Sequence, residues 1–126
     1  MYLLDTNVVI HYLNNFLPPS SIGFLNQFID QDCYISIITQ METLGFNFKN
    51  KVDKNVTEIF IENSILLEIS PEVVQKTIAI RKSRKINLPD AIIAATAIVY
   101  DFTLITQNIK DFEKIQHIKV LNSFEL

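Results

Sequence analysis

Four carboxylates stand out by their surroundings. Asp5 closes a short apolar run, Tyr2-Leu3-Leu4, and is followed by Thr6-Asn7. Glu42 lies in Ile37-Ile38-Thr39-Gln40-Met41-Glu42-Thr43-Leu44-Gly45, a mostly apolar stretch in which an unpaired carboxylate would be costly to bury. Asp90 follows Leu88-Pro89, and Asp111 comes shortly after Leu104-Ile105-Thr106. Gathered in space, such groups offer oxygen ligands to a hard cation such as Mg²⁺ or Mn²⁺, which binds one or two carboxylates together with substrate phosphate oxygens. A cation so held turns a water into a nucleophile, and a second one about 4 Å away would stabilise the leaving oxygen. That is phosphodiester chemistry without a covalent intermediate. Each acid taken alone has a plainer explanation: Asp at a helix start caps it or complements its dipole for roughly 0.3–2 kcal/mol, and an exposed Glu42 needs no function at all.

The elements that must position these acids alternate along the chain. Tyr2–Leu4 reads as a strand, and Val8, Val9, Tyr12, Leu13 and Phe16 recur at helical spacing after it. Pro18-Pro19 ends that helix, and Ser20 or Ser21 is placed to cap a second one carrying Phe24, Leu25, Phe28 and Ile29. A strand through Cys33 follows, then a helix from near Thr39 that contains Glu42, and another reaching about Asn63. Ile65–Ile69 reads as a strand, Pro71 opens a helix that runs to Arg81-Lys82-Ser83-Arg84-Lys85, and Pro89 opens one reaching about Tyr100. Thr103–Thr106 is the fourth strand, Ile109–Lys114 a short helical turn, and Ile118–Leu121 the last strand. Strands separated by helices predict a three-layer α/β/α sandwich with a mainly parallel central sheet. In such sheets the functional crevice lies outside the carboxyl ends of the strands, and Asp5, Glu42, Asp90 and Asp111 all map to that edge.

Bulk properties agree with one domain spanning residues 1–126. Apolar residues make up 48% and charged residues 20%, with two glycines, the composition of an ordered globular chain. The start lacks the features of a signal peptide and no apolar run approaches the ~20 residues of a membrane span, so a cytoplasmic protein without membrane contact is expected. Cys33, the single cysteine, sits in a strand-like run and reads as a core thiol. A net charge of −3 argues against a general electrostatic grip on nucleic acid, yet acids that hold cations count fully in that sum. His11 and His117 are isolated and suggest no zinc site. Two glycines leave no glycine-rich phosphate loop, and Asn7 stands where an aspartyl phosphotransferase would favour a second acid.

Four segments carry a resemblance to a known family: Leu4-Asp5-Thr6-Asn7-Val8-Val9-Ile10, Ser36-Ile37-Ile38-Thr39-Gln40-Met41-Glu42, Leu88-Pro89-Asp90-Ala91-Ile92-Ile93-Ala94-Ala95-Thr96-Ala97 and Leu104-Ile105-Thr106-Gln107-Asn108-Ile109-Lys110-Asp111-Phe112. Together they resemble a PIN-domain protein of the VapC toxin type. The resemblance implies a Mg²⁺- or Mn²⁺-dependent endoribonuclease acting on RNA, a small antitoxin protein as partner, and a homodimer. Carried over by position, Asp5, Glu42 and Asp90 would be metal ligands and catalytic residues, with Thr6 orienting the first carboxylate or a bound water; Thr6 is equally a plain helix cap. The fourth acidic place falls to Asp111 or to Asn108, with the charged Asp111 favoured and Asn108 left as an orienting residue; the plain alternative is that Asn108 caps the turn beginning at Ile109 and Asp111 reaches back to its amide in a capping box. Gln107 stands where members often carry a basic residue, which weakens one phosphate contact. The basic run Arg81–Lys85 can meet RNA phosphates or simply complement a helix end. The rival reading is a non-catalytic PIN-fold module that binds a protein partner through its apolar helices.

Overall fold

The computed structural model describes residues 1–126. Five short strands, β1 (Tyr2–Leu4), β2 (Tyr34–Ser36), β3 (Ile65–Leu67), β4 (Thr103–Thr106) and β5 (Lys119–Asn122), form one sheet in the order β3-β2-β1-β4-β5, every pairing parallel. Side chains alternate across a strand. Leu3 therefore enters the core on one face while Leu4 enters the core on the other, and Leu104 and Ile105 divide in the same way. Each layer buries its own apolar cluster, which is why the central strands read as unbroken hydrophobic runs.

On the Leu3 face lie α5 (Pro71–Ser83) and α6 (Leu88–Val99), packed on one another, together with Ile38 and Phe112. Ala91, Ala94, Ala95 and Ala97 of α6 are fully buried, and their small side chains let that helix sit close to the sheet. The Leu4 face is covered by α1 (Thr6–Leu13), α2 (Pro19–Asn26) and α4 (Lys51–Glu62), through Val8, Val9, Leu25 and Ile61. The remaining helices, α3 (Ile37–Leu44) and α7 (Ile109–Phe112), start just beyond β2 and β4. The three-layer α/β/α arrangement is as the sequence predicts. No helix is long and apolar enough to cross a membrane.

Several local readings are corrected. Neither Ser20 nor Ser21 caps α2, which starts at Pro19 with Pro18 in the cap position and no side-chain cap; Ser21 Oγ is buried without a partner. Helix α1 ends at Leu13, short of Phe16, and Phe28 and Ile29 lie in turns after α2 although Ile29 still packs into the core. The third helix begins at Ile37, not Thr39, because Ser36 Oγ accepts from Thr39 N at 3.3 Å and so caps it earlier. Cys33 is a core thiol with 2% exposure, and burial pushes it above the ordinary thiol range.

Candidate metal and phosphodiester site

The sheet order runs outward from β1 to β3 on one side and from β4 to β5 on the other, so the chain switches direction between β1 and β4. Crevices of open α/β sheets form at such switch points. Asp5 stands there. It directly follows β1, adopts an extended backbone as the N-cap of α1, and its amide donates to Ile105 O at 3.0 Å on the neighbouring strand. Oδ1 accepts from Thr6 N at 2.8 Å, and Oδ2 accepts from the Thr106 hydroxyl at 2.8 Å. Thr106 Oγ1 in turn accepts from Asn108 N at 3.0 Å. With 3% exposure, Asp5 is a carboxylate fixed at both oxygens.

That fixation has an electrostatic cost. Burial raises the Asp5 carboxyl above its ordinary range; the Thr106 and Thr6 hydrogen bonds oppose the rise, and the charges of Asp90 and Glu42 add to it. Asp90, in the first turn of α6 where Asn87 Oδ1 caps its amide at 2.9 Å, is raised first by partial burial and then by the charges of Asp111 and Glu42, against the Asn87 hydrogen bond. All four acids therefore act on at least one other. None is neutralised by a side chain, because the single ion pair of the structure joins Lys119 to Asp101 at 3.0 Å.

Thr6 links the first acid to the second. Its hydroxyl donates to Glu42 Oε1 at 2.7 Å, and with that one proton committed, Thr39 Oγ1 at 3.0 Å must be donor to it. Thr6 is thus not the helix cap; Asp5 is, and Thr6 is the first helical residue. Glu42 is exposed, the plainer of the two readings its apolar sequence context left open, but its carboxylate turns back to the Thr6 hydroxyl.

The fourth segment also departs from expectation. A capping box, with the Asp111 carboxylate on the Asn108 amide, does not form. That amide goes to Thr106 Oγ1 instead, and Asn108 makes no side-chain cap bond, leaving the exposed Asp111 carboxylate without a local role. Sequence reasoning assigned no part to Thr106 or Thr39. Their signal was faint: a threonine at the end of a strand or inside a helix is ordinary until the neighbouring element is known.

The donor set is oxygen only, which suits Mg²⁺ or Mn²⁺. The side chains are not drawn into a closed cage of three or more ligands. An ion that keeps several waters and takes one or two direct carboxylates does not require one.

Residues 2–118 match the model of the PIN domain. The chain belongs to the PIN domain family. Solved structures similar to this PIN chain include a toxin–antitoxin complex from Klebsiella pneumoniae, at TM-score 0.78 and 31% identity over 100% of both chains. FitAcB from Neisseria gonorrhoeae is similar at TM-score 0.79 and 30% identity, again over 100% of both chains. VapBC2 from Rickettsia felis, bound to a DNA fragment from its promoter, is similar at TM-score 0.81 and 25% identity, covering 96% of this chain and 97% of that one. No curated protein matches. The likeness to VapC-type PIN proteins drawn from the four segments is borne out in family and in fold.

Beside Glu42 the PIN fold leaves an apolar groove of about 190 Å³ between α1 and α4, lined by Val9, Ile10, Leu13, Phe46, Phe48 and Val56 among others. Phe46 is 64% exposed there, an unusual position for a large aromatic ring.

Proposed function

We propose that this PIN chain is a metal-dependent endoribonuclease and the toxin of a toxin–antitoxin pair. The observation that carries the reading is Asp5: a buried carboxylate held at both oxygens, pressed by the charges of Asp90 and Glu42, and left without a cationic side chain to balance it. The cap and the hydrogen bonds hold the carboxylate in place, but no cation offsets its burial and the neighbouring negative charges. A divalent cation resolves it.

In this reading Asp5, Glu42 and Asp90 hold Mg²⁺ or Mn²⁺, with Asp111 as a further anionic ligand. The bound cation supplies activation of a water and stabilisation of the charge that develops on the phosphoryl group. The chain's own residues do the positioning. Thr106 and the Thr6 amide fix the two Asp5 oxygens, and the Thr6 hydroxyl fixes Glu42. Such partners of metal ligands typically contribute 10–100-fold to affinity or activity. Asn108, joined to Thr106 through its backbone, stands where an orienting contact to substrate is available.

The structures similar to this one at 25–31% identity include toxin–antitoxin assemblies, which supports an antitoxin partner here. The apolar groove beside Glu42 suits a partner segment with apolar side chains and a Lys or Arg directed at the acids. A homodimer and a cytoplasmic location complete the proposal. The same groove is what favours the second reading, a non-catalytic module for protein binding.

Incubating the purified chain with a mixed RNA pool in Mg²⁺ or Mn²⁺, and in parallel with chelator, separates the two. Cleavage that chelator abolishes supports the nuclease, and sequencing the fragment ends defines its specificity. Recovery of a complex with the genetic neighbour, but no cleavage in either metal, supports the binding module.

A further inference from the structure

A second, polar pocket of about 270 Å³ opens beside Asp90, where the loop after α5 meets α7. Its walls include Arg84, Lys85 and Lys110 together with Asn87, Asp90 and Asp111. We propose that this pocket is the subsite for an RNA backbone phosphate next to the one that is cut, with Arg84, Lys85 and Lys110 as its positioning cations. The proposal rests on the nuclease reading above.

The structure divides the basic run into two kinds of cation. Arg81 and Lys82 lie in the last turn of α5, where positive charge complements the helix dipole, and Arg81 Nε donates to Ile86 O at 3.3 Å. Arg84 has left the helix. Its backbone is extended, and one guanidinium nitrogen, Nη2, donates to Lys114 O at 3.0 Å, which anchors the side chain across the loop to the segment after α7. A guanidinium held by one nitrogen keeps further N–H groups in a fixed fork, the geometry that matches phosphate oxygens. Lys85 and Lys110 add point charges on exposed stems.

Acids and cations share this pocket without pairing. No Arg84, Lys85 or Lys110 nitrogen reaches Asp90 or Asp111 within ion-pair distance, since the Lys119–Asp101 bridge is the only one in the structure. The two carboxylates take part in holding the divalent cation of the reading above, which leaves the three basic side chains of the same pocket without an anion. A phosphodiester strand satisfies both halves, with one phosphate at the cation-loaded carboxylates and its neighbour at Arg84, Lys85 and Lys110. Lys110 also provides positive charge three residues after the uncharged Gln107.

The test measures binding of a fluorescent single-stranded RNA analogue whose backbone resists hydrolysis, by anisotropy in Mn²⁺, with the metal-binding wild-type chain as the parent. Adding Arg84→Ala and Lys110→Ala is expected to weaken binding about tenfold and to reduce the slope of log affinity against log salt by about 0.7 for the lost phosphate contact. Arg84→Lys should recover part of the loss, and Lys82→Ala should leave both readouts unchanged. Lys110→Ala alone, at an exposed position, must move both readouts the same way even if the Arg84 variant folds poorly. With the carboxylates intact, the same changes should raise KM for cleavage while leaving kcat nearly constant. Unchanged affinity and slope in the pocket variants, or an equal loss in Lys82→Ala, overturns the subsite. A wild-type chain that cuts RNA while the pocket variants keep its KM and salt slope overturns the subsite alone; a wild-type chain that cuts no RNA overturns the nuclease reading as well.

Discussion

The Thr106 hydroxyl donates a 2.8 Å hydrogen bond to Asp5 Oδ2 from 101 residues away in the chain, and it is the tie that fixes the buried carboxylate to the neighbouring strand. Removing it with Thr106→Val leaves a buried carboxylate oxygen and the Asn108 amide without their partner. The expected cost is about 1–3 kcal/mol of stability, together with a 10–100-fold higher Mn²⁺ requirement for cleavage. Thr106→Ser restores the hydroxyl and should recover most of both. Chemical denaturation and a metal titration of cleavage check this; a Thr106→Val chain with wild-type metal dependence would show that the tie is only structural.

The choice between Asp111 and Asn108 is tested by separate substitutions. Asp111 forms no cap, so Asp111→Asn should leave stability within about 0.5 kcal/mol, as exposed substitutions usually do. A ligand role predicts a strongly raised Mn²⁺ requirement in the same variant. If metal dependence is unchanged in Asp111→Asn and cleavage falls only in Asn108→Ala, the fourth functional position belongs to Asn108.

How far the site was legible follows from where each contact lies. The positions of Asp5 and Asp90 at the starts of helices are local facts, written in Leu4-Asp5-Thr6 and Leu88-Pro89-Asp90, and the alternation of Leu3 with Leu4 is local too. The Thr106–Asp5 bond depends on β4 lying beside β1, and the Thr6–Glu42 bond on α3 lying beside α1. Those adjacencies are properties of the assembled sheet. The capping box expected at Asn108 failed for the same reason: its amide found a tertiary acceptor, Thr106 Oγ1, which outcompeted the local one. Glu42 is exposed because an apolar neighbourhood in sequence does not fix which side of a helix a residue occupies.

Cys33 supplies a pH dependence remote from the acids. Burial raises the folded thiol above its unfolded value, with the Ser64 hydroxyl opposing. The folded state therefore holds a proton that the unfolded chain releases, so the thiol's contribution to stability is full below the unfolded thiol pKa of about 8.5 and is lost as pH rises through the folded value. Denaturation from pH 7 to pH 10 should show a downward slope that is smaller in Cys33→Ala. An aromatic disulfide reagent should modify the native thiol far more slowly than the denatured one, and rapid labelling of folded protein would contradict the burial.

Charge at the site should oppose stability in the absence of metal. Asp5→Asn removes a carboxylate whose ionised form burial disfavours, so in chelator this variant should melt no lower than wild type, while Mn²⁺ should raise the melting temperature of wild type only. A large fall in the melting temperature of the metal-free variant would mean that the ionised carboxylate stabilises the fold by itself.

The most direct measurement is cleavage of labelled single-stranded RNA by wild type, Asp5→Asn and Asp90→Asn side by side in Mn²⁺, with folding checked by circular dichroism. The carboxylate site predicts cleavage by wild type that chelator stops, and rates at least 100-fold lower in both folded variants, the loss of about 2.7 kcal/mol or more of transition-state stabilisation. Wild-type rates in either variant would contradict it.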